Sequence, residues 1–284
     1  MIFPSSTLPL MIAALLTVSP LAGAAATAQE KEGQAQPAAP APAGDLPDGR
    51  SIVAKSIDAM GGKKALEAIK SMTMNASIAS PMGEIPMQLF WARPNRVLVK
   101  QTIPNYGELV EAFDGQVGWR SVLMTEGYQL LDELECEQLK NQANTHLTLL
   151  EIERECETIE TVGDVQFDGR ACRKVRFEDR DEPKAPEVFG LFDAETHLMI
   201  GMEMVERTPG IPLTVTFRFK DWKKTDAVTF FREMHMSQRG VQATMKYTDI
   251  GLNNVDPNTF RMPEAVKKLV EEKASQENTK GPDD

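Results

Sequence analysis

Apolar and polar residues alternate with a period of two along most of this chain. A helical period interrupts them once. Met72, Met74, Ala76 and Ile78 alternate with Thr73, Asn75 and Ser77. Ile85, Met87, Leu89 and Trp91 repeat the pattern, and Val97 and Val99 continue it beyond an Arg93-Pro94-Asn95 turn. Such alternation marks strands with one buried and one solvated face. Glu108 to Phe113 reads as a further strand closed by Asp114-Gly115, a hairpin signal, with Trp119 and Val122 on the next. The period then changes. Cys136, Leu139, Ala143, Leu147 and Leu150 recur at three- and four-residue intervals, with Glu133, Glu137, Lys140 and Glu151 on the opposite side. That is one amphipathic helix, occupying with its flanks residues 132–154.

Strand patterns resume at Cys156. Thr158–Phe167 and Arg170–Glu178 flank an Asp168-Gly169 turn, and Val188–Phe192 and Met199–Val205 flank Asp193-Ala194-Glu195-Thr196. Leu213, Val215, Phe217 and Phe219 alternate with polar residues, and Val228–Ser237 and Val241–Tyr247 follow. One-sided apolar strands joined by short turns are antiparallel. The fold class is therefore α+β, mainly β. An incomplete antiparallel barrel of about 11–12 strands, wrapped over N-terminal and lid helices, satisfies the pattern.

The ends of the chain set its organisation. Leu8 to Leu21 is an apolar run followed by small residues, and Ala26-Thr27-Ala28 fits a signal-peptidase site. Residues 1–28 read as a cleaved signal peptide, with the mature chain starting at Gln29. Residues 29–47 are rich in Ala, Pro and Gln and form a linker. Asp48 caps a helix bearing Ile52, Val53, Ile57 and Met60, which Gly61-Gly62 stops; Lys63 to Ile69 is a shorter helix. The folded domain spans residues 48–264, and residues 265–284 form a charged, flexible tail. The expected location is the periplasm or exported cell envelope.

The formal net charge of -11 argues against nucleic acid and anionic membrane surfaces as partners. Three cysteines, Cys136, Cys156 and Cys172, permit at most one bridge. The Asp168-Gly169 turn would place Val165, not Cys156, opposite Cys172, so three buried thiols are expected. His146, His197 and His235 lie far apart, and no pair has metal-ligand spacing. No nucleophile motif or Gly-rich phosphate loop occurs. The carboxylates Glu133, Glu135, Glu137, Glu151, Glu153 and Glu155 read as a solvated helix face. The expectation is no catalytic residue, no metal, no cofactor and no enzymatic activity.

Ile57-Asp58-Ala59-Met60-Gly61-Gly62, followed by Ala65-Leu66 and Ile69-Lys70-Ser71, resembles the opening of outer-membrane lipoprotein-sorting-like proteins. These are relatives of the periplasmic lipoprotein carriers LolA and LolB. Phe90-Trp91 with Arg93-Pro94, Phe113-Asp114-Gly115 with Trp119, Phe192 to Thr196 with Leu198, and Asp256-Pro257 with Phe260 and Pro263 extend the resemblance over residues 48–264. It implies a half-barrel with an apolar cavity for acyl chains. In the carrier, an Arg beside a Pro holds a helical lid, and Arg93 falls at that position. A Phe four residues further on assists transfer in the carrier, and Val97 stands there in this chain. The implied ligand is a lipid, an acylated protein or another apolar molecule bound by a monomer, and the implied role is lipoprotein or lipid transport to the outer membrane. The alternative is an envelope-stress sensor or protein-interaction domain of the same fold, with a plugged cavity and an envelope protein partner.

Methionine adapts to irregular apolar shapes. Expected cavity-lining residues are Met72, Met74, Met87, Leu89, Trp91, Val97, Val99, Met202, Met204, Phe217, Met234 and Met245. Expected lid residues are Leu139, Ala143, Leu147 and Leu150, with Arg93 as latch.

Overall fold

The computed structural model describes residues 36–37, 46–80, 83–178, 186–206 and 213–279. The expected signal peptide and its cleavage point lie outside the described residues, as does most of the linker. Among the described residues no helix is long and apolar enough to cross a membrane.

The chain divides into two compact units, residues 1–68 with 146–244, and residues 69–145 with 245–284. In the first unit, helix α1 (Gly49–Ala59) begins where the Asp48 carboxylate accepts the Ser51 amide at 2.9 Å, which satisfies an orphan N-terminal donor. It ends at Gly61 and Gly62, with φ of 119° and 88°. A side chain at Gly61 would also strike the Ala227 carbonyl, so this tight stop serves packing as well as geometry. A short α2 (Lys63–Glu67) follows. Helix α4 (Thr148–Glu155) packs on α1. The Arg50 guanidinium donates to the carbonyls of Cys156 and Glu157, both at 2.9 Å, and of Glu153 at 3.4 Å. Lys63 pairs with Glu153 at 2.7 Å. A carbonyl in the last turn of α4, where intrahelical donors run out, and the two carbonyls just past the helix are thus held from α1.

Six antiparallel strands complete this unit and pair in sequence order. They are β7 (Thr158–Phe167), β8 (Arg170–Glu178), β9 (Glu187–Asp193), β10 (Met199–Glu206), β11 (Leu213–Thr225) and β12 (Val228–Gln238). Gln36–Pro37 pairs along the outer edge of β7, a position where proline's missing donor costs little. The β7–β8 hairpin has Val165 opposite Cys172, the register that the turn requires. By that register Ile159, Val175, Phe177, Val188, Met202, Met204, Val215 and Phe217 share the face toward α1. On the opposite face Phe167, Cys172, Leu191 and Ile200 form a small buried cluster. The Arg218 guanidinium lies over the Phe167 ring, and Lys174 pairs with Glu203 at 2.6 Å.

In the second unit the strand order is β13-β1-β2-β3-β4-β5-β6. These are β1 (Ser71–Ser80), β2 (Gly83–Ala92), β3 (Arg96–Ile103), β4 (Gly107–Phe113), β5 (Gly118–Ser121), β6 (Tyr128–Leu130) and β13 (Val241–Leu252), whose first four residues belong to the other unit. Both orders are linear and antiparallel. Among the described residues thirteen strands have three or more residues, against about 11–12 expected, and the mainly β, antiparallel class stands as read. One face of this unit buries Ala92, Leu98, Ala112 and Trp119 with Phe260 and Val266.

Two expectations differ from the structure. Residues 264–279 form helix α5 (Glu264–Thr279) rather than an irregular tail. Val266 is fully buried, and Leu269 and Val270 continue its stripe at helical spacing. Its charge disguised a helix whose first turns are apolar on one side. The single helix expected over residues 132–154 is two, α3 (Glu133–Ala143) and α4, joined by a 3-10 turn over Thr145–Leu147. His146 causes the break. Its buried ring stacks on Phe231 at 4.2 Å and meets Phe230 edge-on at 5.1 Å. Its Nε2 donates to the Phe231 carbonyl at 3.2 Å. Asn144 and Thr145 resist helix only weakly, and the docked imidazole fixes the turn.

Candidate functional site

The candidate site is the face of the second unit's sheet that lies under α3. Register places Met72 opposite Trp91, Met74 opposite Leu89, Leu89 opposite Val99, and Trp91 opposite Val97. One strand further, Val97 faces Phe113 and Val99 faces Glu111. Met72, Met74, Met87, Leu89, Trp91, Val97 and Val99 therefore form one continuous apolar patch. Met245, in the same unit, is also buried. Met202, Met204 and Phe217 lie in the other unit, on the face toward α1. Of the twelve side chains expected to line a cavity, eleven are no more than 7% exposed. Met234 is half-buried; register sets it opposite Phe219 and beside the fully buried Met236.

Helix α3 packs on β2, β3 and β4. Its entry is set by a capping box: the Asp132 carboxylate accepts the Glu135 amide at 2.8 Å, and Glu135 Oε2 accepts the Asp132 amide at 2.9 Å. This reciprocal arrangement satisfies two orphan donors. Cys136, Leu139 and Ala143 are buried beneath the helix. A side chain at Gly118 would collide with Cys136 Sγ, so the absence of a Cβ there lets the helix sit close. The Lys140 ammonium lies over the Phe113 ring at 5.0 Å. Leu147 is buried, but Leu150 is only half-buried; Leu149 and Ile152 take the inward positions in α4. The 3-10 turn advances the chain by three residues per turn instead of 3.6, which rotates the apolar stripe.

Polar residues on this face were not singled out by sequence. Gln101 and Glu111 are buried on the α3 side of β3 and β4. Arg120 on β5 stands directly opposite Glu111. Its Nε and Nη2 both lie 2.6 Å from Glu111 Oε1, and its Nη1 donates to Glu135 Oε1 at 3.1 Å. Burial alone would lower the guanidinium pKa, but the two carboxylates outweigh it and raise it. Glu135 therefore is not one of a merely solvated row. The signal was present in the sequence: a Glu at an apolar-phase position between Leu109 and Phe113, with an Arg on the following strand.

Arg93 is half-buried at the start of the β2–β3 turn. Its Nε donates to the Ile69 carbonyl just ahead of β1 at 2.9 Å, and its guanidinium lies over Trp91 at 5.5 Å. Both contacts lie beside β1 and β2. Among the described residues no group of three or more His, Cys, Asp or Glu side chains could hold a metal ion.

No protein-family model matches the sequence, and no curated protein matches it. Solved structures do. A LolA superfamily protein from Nitrosomonas europaea is 13% identical with a TM-score of 0.53, the match covering 76% of this chain and 99% of that one. A DUF1329 family protein from Desulfovibrio piger is 8% identical with a TM-score of 0.53, covering 76% of this chain and 98% of that one. The chain thus has a LolA-like fold, an open antiparallel sheet with helices.

Proposed function

We propose that the chain is an exported, non-enzymatic binding protein. It holds the aliphatic part of a lipid or a lipidated protein against the methionine-rich face of β1–β4, with α3 as a cover. The observation that carries this reading is the combination on one face of a continuous apolar patch and a helix fastened over it at a few polar points. Unbranched methionines adapt to variable apolar ligands. The LolA-like fold supports the reading at the level of architecture only, because fold does not fix function. Export rests on the Leu8–Leu21 run and the Ala26-Thr27-Ala28 motif.

A second reading draws on one specific observation. The expected lining residues are almost completely buried, as they would be in an envelope sensor or protein-interaction domain whose interior is filled by its own side chains. Native mass spectrometry of protein purified from the envelope fraction, with extraction and identification of bound lipid, separates the two. Co-purifying lipid supports the carrier reading. Lipid-free protein that also fails to bind a fluorescent fatty acid overturns it in favour of the interaction domain.

A further inference from the structure

We infer that Arg120 is the headgroup subsite of this apolar face, and that it selects amphiphiles with an anionic head. The inference rests on the binding role proposed above. The apolar patch does not end in solvent. Beyond Val99 it meets a polar diagonal: Gln101 on β3, Glu111 on β4 and Arg120 on β5, with Glu111 opposite Val99 and Arg120 opposite Glu111. A chain lying along Leu89 and Val99 brings its end to this diagonal.

The two carboxylates around Arg120 are not equivalent. Glu111 sits on the adjacent strand of the same sheet and takes two guanidinium donors on one oxygen. Glu135 comes from the covering helix. Any displacement of α3 that admits a ligand withdraws Glu135 and leaves Glu111 in place. A partly buried guanidinium then has an unmatched donor, which is costly in a site of low polarity. An anionic head restores the match. Arg120 with both glutamates carries a net charge of -1, and the same set with a singly charged head in place of Glu135 also carries -1. A neutral hydroxyl head can accept from that donor but brings no charge, so its bond is the weaker one. Carboxylate and phosphate heads both satisfy this chemistry, since guanidinium pairs with either in a fork geometry. The chain's overall charge of -11 repels anions, so a preference for them has to be local.

The test measures binding of dodecanoate, dodecyl phosphate and dodecanol to the full chain by calorimetry. The wild type should bind at least one of the anions about tenfold more tightly than the alcohol, the factor expected when an anionic acceptor replaces a neutral one. Whichever anion binds better assigns the head as carboxylate or phosphate. The double variant Arg120→Gln, Glu111→Gln leaves no unpaired charge on the strands and should abolish that preference; because it also removes the tie to Glu135, its dodecanol affinity should rise as it does in Glu135→Gln. Glu135→Gln should raise affinity for all three probes by a common factor and preserve their ratio, because it weakens the cover and not the subsite. Equal affinity for anions and alcohol in the wild type overturns the headgroup assignment but leaves the apolar-binding role standing. So does a preference that survives in the double variant. Failure of every probe to bind folded wild type overturns the binding role and this inference with it.

Discussion

Arg120 reaches Glu135 across the gap between β5 and α3 at 3.1 Å, and the other oxygen of that same carboxylate closes the capping box on Asp132. One side chain thus both starts the covering helix and ties it to the sheet. The two roles are coupled: loss of the ion pair also frees the group that holds the helix's first turn.

Glu135→Ala should therefore cost more than an ordinary surface substitution, about 1–2 kcal/mol of stability from a lost cap together with a half-exposed ion pair. The loss should concentrate in α3. Amide hydrogen exchange at Cys136 and its neighbours should quicken while strands β1 and β2 keep their protection. An unchanged exchange profile would remove Glu135 from the fastening of the helix.

His146 gives the fold a directional acid sensitivity. Burial lowers its pKa from 6.5 to about 4, despite the hydrogen bond to the Phe231 carbonyl. The unfolded chain therefore takes up this proton first on acidification. Stability should be flat above about pH 6.5 and fall as pH drops toward 4, by a contribution on the order of 3 kcal/mol from this group. Thermal melts of wild type and His146→Leu between pH 7 and 4 check the sign. Equal acid dependence in the two proteins would contradict the assignment.

The three cysteines are free and buried. Burial is the first cause that pushes the thiols of Cys136 and Cys172 up to about 11, which suppresses the reactive thiolate. A thiol reagent at pH 8 should label neither until the protein unfolds. Reductant should leave the melting temperature unchanged, whereas a fall of about 5 °C or more would reveal a bridge.

Val266 is the inward anchor of α5, packed in the cluster that contains Trp119 and Phe260. Val266→Ala should destabilise by about 1–3 kcal/mol and alter the fluorescence of Trp119. A neutral result would mean that Val266 does not anchor the C-terminal helix.

The strands were legible because a half-buried sheet writes its burial directly into alternate positions: Met72 to Ile78 and Ile85 to Trp91 occupy the face that their period assigns. The hairpin at Asp168-Gly169 was legible for a local reason, turn chemistry that fixes register. What escaped was decided by distant partners. The helix break depends on a ring contact between His146 and Phe231, 85 residues apart, and it carries Leu149 inward in place of Leu150. Glu135 has the same sequence surroundings as its solvated neighbours, and only the fold sets Arg120 beside it. Arg120 itself sits in a short strand with too few residues for a period to emerge. The apolar stripe of α5 was masked by the lysines and glutamates that surround Val266, Leu269 and Val270.

The Arg50 guanidinium spread over three carbonyls has a practical consequence for watching this protein at work. It gathers the end of α4, the turn after it and the first helix into one stiff corner. The helix α3, by contrast, is fastened to its strands through Arg120 and the packing of Cys136, Leu139 and Ala143. A spectroscopic label at the exposed Glu133 is therefore placed to register displacement of the cover. A label at the exposed Arg154 sits on the corner that Arg50 ties together, and reports on that unit by itself.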